Sequence, residues 1–182
     1  KAVLPGGPST RFISNDNLDV IMDYKSLEKA GNSLGSGAII VLDETVSIPE
    51  LVKYFFEFYQ KESCGDCVPC RVGTKRISEI LHLMTEPVRP KEFRDWYRLG
   101  GPTETSCIEA LKHTGTVMKT AAKCGLGQAA PEPLLSSIEL FGHEYEALLA
   151  QRQKEYERLA SDSSDSPNTE GARTIMRRIT PY

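Results

Sequence analysis

Over the first 45 residues the apolar positions come in short runs broken by glycine and proline, whereas from Ser47 onward they recur three and four residues apart. The first pattern predicts strands and turns. "KAVLP" reads as a strand followed by the turn-rich "GGPS", and "LDVIM" as a short extended run. "SLEKAG" reads as one or two helical turns ended by Gly31, and "SGAIIVLDE" as a β-branched strand entered through glycines. The second pattern predicts helices. "SIPELVKYFFEFYQKE" offers Ser47 as N-cap, Pro49 in the first turn and Glu50 at the capping-box position, with apolar residues around so much of the cylinder that burial is expected. "TKRISEILHLM" places Ile77, Ile80, Leu81 and Met84 on one face. "TSCIEALKHTGTVMKTAA" reads as a poorer helix interrupted at Gly115, and a long helix is expected to begin after Pro133. A small mixed α/β unit followed by four helices, suggestive of a bundle, is the resulting expectation.

Two stretches fall outside these periods. "TEPVRPKEFRDWYRLGGPTET" is punctuated by proline and glycine, holds the single tryptophan, Trp96, and reads as an insertion or a partner-contacting loop. After Ala160, "SDSSDSPNTEG" is too polar to order itself by burial, and the basic end "ARTIMRRITPY" reads as a docking tail. No internal repeat is evident.

Composition narrows the function classes. The 182 residues are 40% hydrophobic and 26% charged, enough for one ordinary core or a small domain plus a second unit. A formal charge of -3, with basic residues spread along the chain, gives no field for nucleic acid. The longest apolar run, "AIIVL", is far short of the roughly 20 residues that cross a bilayer, and the N-terminus lacks a signal-peptide layout. A soluble, intracellular chain with no membrane span is expected. Its start at Lys1, straight into a strand, suggests the C-terminal part of a longer subunit.

Candidate chemistry lies in "ESCGDCVPCRVGTKR". Cys64, Cys67 and Cys70 form C-x2-C-x2-C in a chain of five cysteines, too close together and too odd in number for a disulfide framework. A cubane cluster needs a thiolate at each of four iron corners, and such a run can wrap three of them while the fourth comes from elsewhere, as in bacterial ferredoxins. Cys124 in "KCGLGQ" is the better fourth candidate, because the following glycines permit close backbone approach and positive φ; Cys107 in "TSCIEALK" has no such context and reads as a partly buried thiol behaving as a small hydrophobe. An all-thiolate structural zinc site in a non-redox docking module is the alternative, although zinc sites usually assemble from two CxxC knuckles.

"ESCGDCVPCRVGTKR", then "KCGLGQAAPEPLLSSIELFGHEY", preceded by "GSGAIIVLDET", resemble the C-terminal half of the flavoprotein (NADH-oxidising) subunit family of NADH-quinone oxidoreductase and of the diaphorase subunits of NAD-reducing hydrogenases and formate dehydrogenases. The resemblance covers about residues 1–150. It implies an α+β chain: residues 1–45 as the end of a β-grasp domain of the soluble-ligand-binding type, and residues 46–150 as a four-helix bundle carrying a 4Fe-4S cluster. Residues 151–182 would be a helix extension and tail. Cys64, Cys67, Cys70 and Cys124 would be the cluster ligands, with FMN and NAD(H) held in an upstream domain not present in this chain. The resemblance also implies electron relay to other iron-sulfur subunits of a multisubunit oxidoreductase, in the cytoplasm, peripheral on a membrane complex, or in the mitochondrial matrix. Here 53 residues separate Cys70 from Cys124, longer than expected for the respiratory members.

The remaining features have plainer readings. Arg71, Lys75 and Arg76 would favour a more negative reduced cluster if near it, or else form a solvated helix face. "GSGAII" lacks the third glycine of a nucleotide fingerprint and reads as a tight turn. His82, His113 and His143 show no ligand spacing.

Overall fold

The structure, a computed structural model, describes residues 1–87 and 104–162. It is a mixed fold in which a small sheet packs on a larger helical body. Strand β1 (Ala2–Leu4) is central, antiparallel to β2 (Ile13–Ser14) on one edge and to β3 (Ile40–Leu42) on the other. Leu4 faces Ile40 and Ala2 faces Leu42 across the β1/β3 pair. Side chains alternate across the pleat, so Ala2, Leu4 and Leu42 are buried while Val41 points to solvent.

"LDVIM" does not form the extended run expected of it. Both edges of β1 are already occupied, and the chain instead passes through a short 3-10 helix (Asn15–Asn17) and bends that leave Leu18, Ile21 and Met22 exposed. Asp23 then caps α1 (Tyr24–Lys29), accepting from the Ser26 N–H at 2.7 Å, and Gly31 ends it with φ of 70°. The turn expected at "GSGAII" is present. Gly35 takes φ of 51° because its backbone crosses Gly6, where a Cβ would stand 2.4 Å from the Gly6 carbonyl oxygen.

The helical body consists of α2 (Ile48–Glu62), α3 (Val68–Thr85), α4 (Glu104–Ala121), the short α5 (Gly125–Ala129) and α6 (Pro131–Asp162). Helix α3 packs between α2 and α4, and α6 lies against α2, α3 and α4. One hydrophobic cluster joins Phe56, Ile77, Leu111, Met118, Leu134 and Tyr145 from these helices to Leu4, Phe12 and Leu42 from the sheet side. Phe12 meets Phe141 edge-on at 6.1 Å, and its N–H donates to Ser136 Oγ at 3.0 Å.

Four helical expectations need correction. Helix α2 buries a stripe rather than its whole circumference: Val52, Phe56 and Tyr59 face inward, but Tyr54 and Phe58 are exposed. Gly115 does not interrupt α4. It is where the start of α6 approaches, since a Cβ there would lie 3.2 Å from Leu135 and 3.4 Å from Pro131. Helix α6 begins at Pro131, a residue suited to a first turn, and is kinked at Phe141, whose φ of -128° and ψ of 30° are not helical. Trp96 and the basic tail lie outside the described residues.

The fourth correction concerns the start of α2. Ser47 occupies the N-cap position but its hydroxyl makes no capping bond. The Ile48 N–H instead donates to a carboxylate oxygen of Glu144, 3.0 Å away on α6, and Lys1 Nζ lies 2.8 Å from the other oxygen of that carboxylate. A tertiary cap thus replaces the local one. Glu144→Ala is expected to lower stability by about 1–2 kcal/mol, the range for losing a helix cap, while Ser47→Ala changes it little; urea unfolding of both variants checks the contrast.

Candidate metal centre

Helix α2 stops at Glu62, and Ser63 closes it by donating its N–H to the Tyr59 carbonyl at 2.9 Å. The chain turns at Gly65, whose φ of 74° suits a residue without Cβ, and α3 begins after Cys67, its N-cap, with Pro69 in the first turn. Cys64 and Cys67 therefore lie on the loop and Cys70 lies within the first turn of α3. Their exposure is graded: Cys64 is exposed, Cys67 partly so, and Cys70 buried at 4%.

A second loop abuts the first. Helix α4 ends at Ala121, and Cys124 takes the N-cap position of α5. Gly127 of α5 comes so close to the first turn of α3 that a Cβ on it would stand 3.1 Å from Cys70 Cβ, 3.5 Å from Cys70 Sγ and 2.6 Å from Ala122 Cβ. The backbone N–H of Lys123, together with that of Cys70, is directed at the Cys67 thiol and holds it below the usual thiol range. Lys123 Nζ also pairs with Asp66 at 2.9 Å across the mouth between the loops.

Cys107 is elsewhere. It is 5% exposed and belongs to the hydrophobic cluster, and at about 1.5 Å rise per residue the helix between it and Ala121 is roughly 20 Å long. It is more deeply buried than the partly buried thiol expected of it. The glycine argument for Cys124 holds only in part: Gly127 provides close approach, but Gly125 and Gly127 sit in a helical turn without positive φ, and the positive φ belongs to Gly65 on the opposite loop.

The charged residues after Cys70 separate in role. Arg71 folds back so that Nη1 donates to the carbonyls of Gly65 and Asp66, bracing the loop that carries Cys64 and Cys67. Lys75 points along α3 and pairs with Glu79 at 3.8 Å. Two contributors carry no motif of their own. Ser63 Oγ lies 3.3 Å from Cys70 Sγ and accepts from the Gly65 N–H at 3.3 Å, and Lys123 supplies the N–H to Cys67. A serine at the stop of a helix was the available signal for the first; nothing local signals the second.

The histidines take no part. His82 is held between Glu86, 2.8 Å from Nδ1, and Glu57, 3.1 Å from Nε2, while His113 and His143 are exposed. Among the described residues no three His, Cys, Asp or Glu side chains close around one ion. No helix among them is long and apolar enough to cross a membrane.

Comparison with known proteins shows the family and the fold. Over 147 residues the chain is 39% identical to the NADP-reducing hydrogenase subunit HndC of Solidesulfovibrio fructosivorans, covering 81% of this chain and 27% of that protein. It is 33% identical over 142 residues to an NADH-quinone oxidoreductase subunit of Streptomyces coelicolor, covering 78% of this chain and 28% of that one. The chain thus spans under a third of the length of these relatives. Among solved structures, an NAD+-reducing NiFe hydrogenase in the H2-reduced state superposes with a TM-score of 0.64 at 23% identity, covering 92% of this chain and 28% of the other. The same enzyme type in the air-oxidised state gives 0.60 at 26% identity, covering 81% and 23%. Residues 50–148 match the family described as the NADH-ubiquinone oxidoreductase-F iron-sulfur binding region, and the chain belongs to that family.

Proposed function

We propose that Cys64, Cys67, Cys70 and Cys124 hold one 4Fe-4S cluster, and that the chain relays single electrons between FMN in the remainder of its parent subunit and the next iron-sulfur subunit of an NAD(P)H-oxidising or NAD-reducing complex. The observation that carries this reading is the abutment of the two cysteine loops, with Gly127 against Cys70 and Lys123 paired with Asp66 at 2.9 Å. The donor set fits the group: four thiols, soft ligands suited to iron-sulfur clusters, with one buried and another already receiving backbone N–H groups. When bound, the cluster supplies one-electron chemistry beside a flavin that takes two electrons at once.

The protein's own contribution is to position and insulate. Cys70 brings its sulfur in at the buried side, the N–H groups on Cys67 favour its thiolate, and the positive end of the α3 dipole favours negative charge there. Arg71 fixes the loop by its two carbonyl contacts. No residue is asked to break a covalent bond. On this reading residues 1–45 are the end of a β-grasp domain used as a packing surface, residues 46–150 are the four-helix cluster domain, and residues 151–182 extend it. The greater identity to the hydrogenase subunit, 39% against 33%, favours a hydrogenase-type complex over a respiratory one.

The test is iron and sulfide content of the anaerobically purified full-length subunit, then electron paramagnetic resonance after dithionite reduction. About four irons and four sulfides with an S = 1/2 signal are expected, lost or altered in Cys124→Ala and kept in Cys107→Ala. One zinc with no sulfide and no signal would overturn the relay and leave a structural docking module.

A further inference from the structure

Ser63 sits where the end of α2 meets the buried cysteine. Its position is fixed twice, by its N–H on the Tyr59 carbonyl at 2.9 Å and by the Gly65 N–H that its Oγ accepts at 3.3 Å. From that position Oγ stands 3.3 Å from Cys70 Sγ, an ordinary separation for a hydrogen bond to sulfur. The direction of this bond follows from where the protons are. A thiolate that ligates iron has no proton to give, and Oγ already accepts from Gly65, so the hydroxyl proton is left to donate to sulfur.

Resting on the cluster reading above, we propose that Ser63 is a positioning residue that acts through Cys70 to raise the reduction potential of the site. A donor aimed at a ligand sulfur withdraws negative charge from it, and this favours whichever oxidation state carries more negative charge. The reduced state carries one electron more. Ser63 keeps its proton in both states, so one electron enters without a proton. Cys70 is the most buried of the four cysteines, and a hydrogen bond to it is screened less than one to Cys64 would be. Cys67 receives backbone N–H groups that no side-chain substitution removes, whereas the bond to Cys70 depends on one hydroxyl.

The measurement is a potentiometric titration of the full-length subunit, read by the reduced-state resonance signal, for the unsubstituted protein, Ser63→Ala and Ser63→Thr. Ser63→Ala is expected to keep its iron and sulfide and to shift the equilibrium about tenfold toward the oxidised state, which for a one-electron couple is ~59 mV more negative. Ser63→Thr, which retains the hydroxyl, restores the original midpoint. An unchanged midpoint in a loaded Ser63→Ala, or an equal shift in Ser63→Thr, overturns the proposal. So does a Ser63→Ala protein that loads no cluster while Ser63→Thr does, because a hydroxyl that only tunes a potential is dispensable for loading. Unsubstituted protein without iron and sulfide would sink the cluster reading itself, and that result is seen before any variant is compared.

Discussion

Gly127→Ala is expected to cost about 10- to 100-fold in cluster retention, the range for losing an outer-shell support of a metal site. The new Cβ would stand 2.6 Å from Ala122 Cβ and 3.1 Å from Cys70 Cβ. Neither neighbour has a flexible end that can swing away, so the backbone of one loop must move. The contact with Ala122 reshapes the Cys124 segment itself and the contact with Cys70 shifts that segment relative to α3, and both would disturb the placement on which four-thiolate ligation would depend. Gly125→Ala is the matched control. It adds the same methyl two residues earlier in the same helix, where nothing lies within 4 Å, so iron content should be unchanged. Iron and sulfide per chain for the two variants, purified side by side without oxygen, decide the matter. Equal loading of both would show that the close contact has no role in holding the site.

The second large effect concerns the contact that spaces the loops. Gly73 of α3 faces Met118 of α4, and a Cβ at Gly73 would lie 2.5 Å from both Cγ and Sδ of that methionine. Met118 is fully buried and cannot step aside into solvent. Gly73→Ala alone should cost about 1–3 kcal/mol through overpacking. Met118→Ala alone should cost about 2–5 kcal/mol through the cavity it leaves. Together they should cost less than the sum, because truncation of the methionine makes the room that the added methyl needs. Denaturant unfolding of the two single variants and the double variant gives the coupling directly. Strict additivity would mean that the helices relax independently at this contact.

The C-x2-C-x2-C run of Cys64, Cys67 and Cys70 was legible because its spacing is local, and the proposed choice of Cys124 over Cys107 rests on neighbours visible in sequence. The structure brings the Cys124 loop beside the other three and leaves Cys107 in the core. The major helices were legible from their apolar period. What escaped is tertiary. The cap on α2 comes from Glu144, 96 positions beyond Ile48, so a capping box at Ser47 and Glu50 looked sufficient. Gly115 looked like a helix breaker because sequence shows its low propensity but not the approaching start of α6. Val20 and Ile21 carry strand-forming character, yet β1 has no free edge to offer them.

The two cysteine loops that touch in the finished protein are separated in the chain by 53 residues. A ribosome needs roughly 3–10 seconds to cover that distance. Throughout that interval Cys64, Cys67 and Cys70 already exist as a closely spaced trio, while the Lys123 N–H and the Gly127 wall that will flank them have not been made. Iron delivered during synthesis would meet an unfinished, solvent-open cup, with thiols free to oxidise or to take the wrong metal. On the four-cysteine reading, α4 and the Cys124 loop must dock on α3 before all four thiols can meet, so loading is expected to favour the folded chain over the growing one.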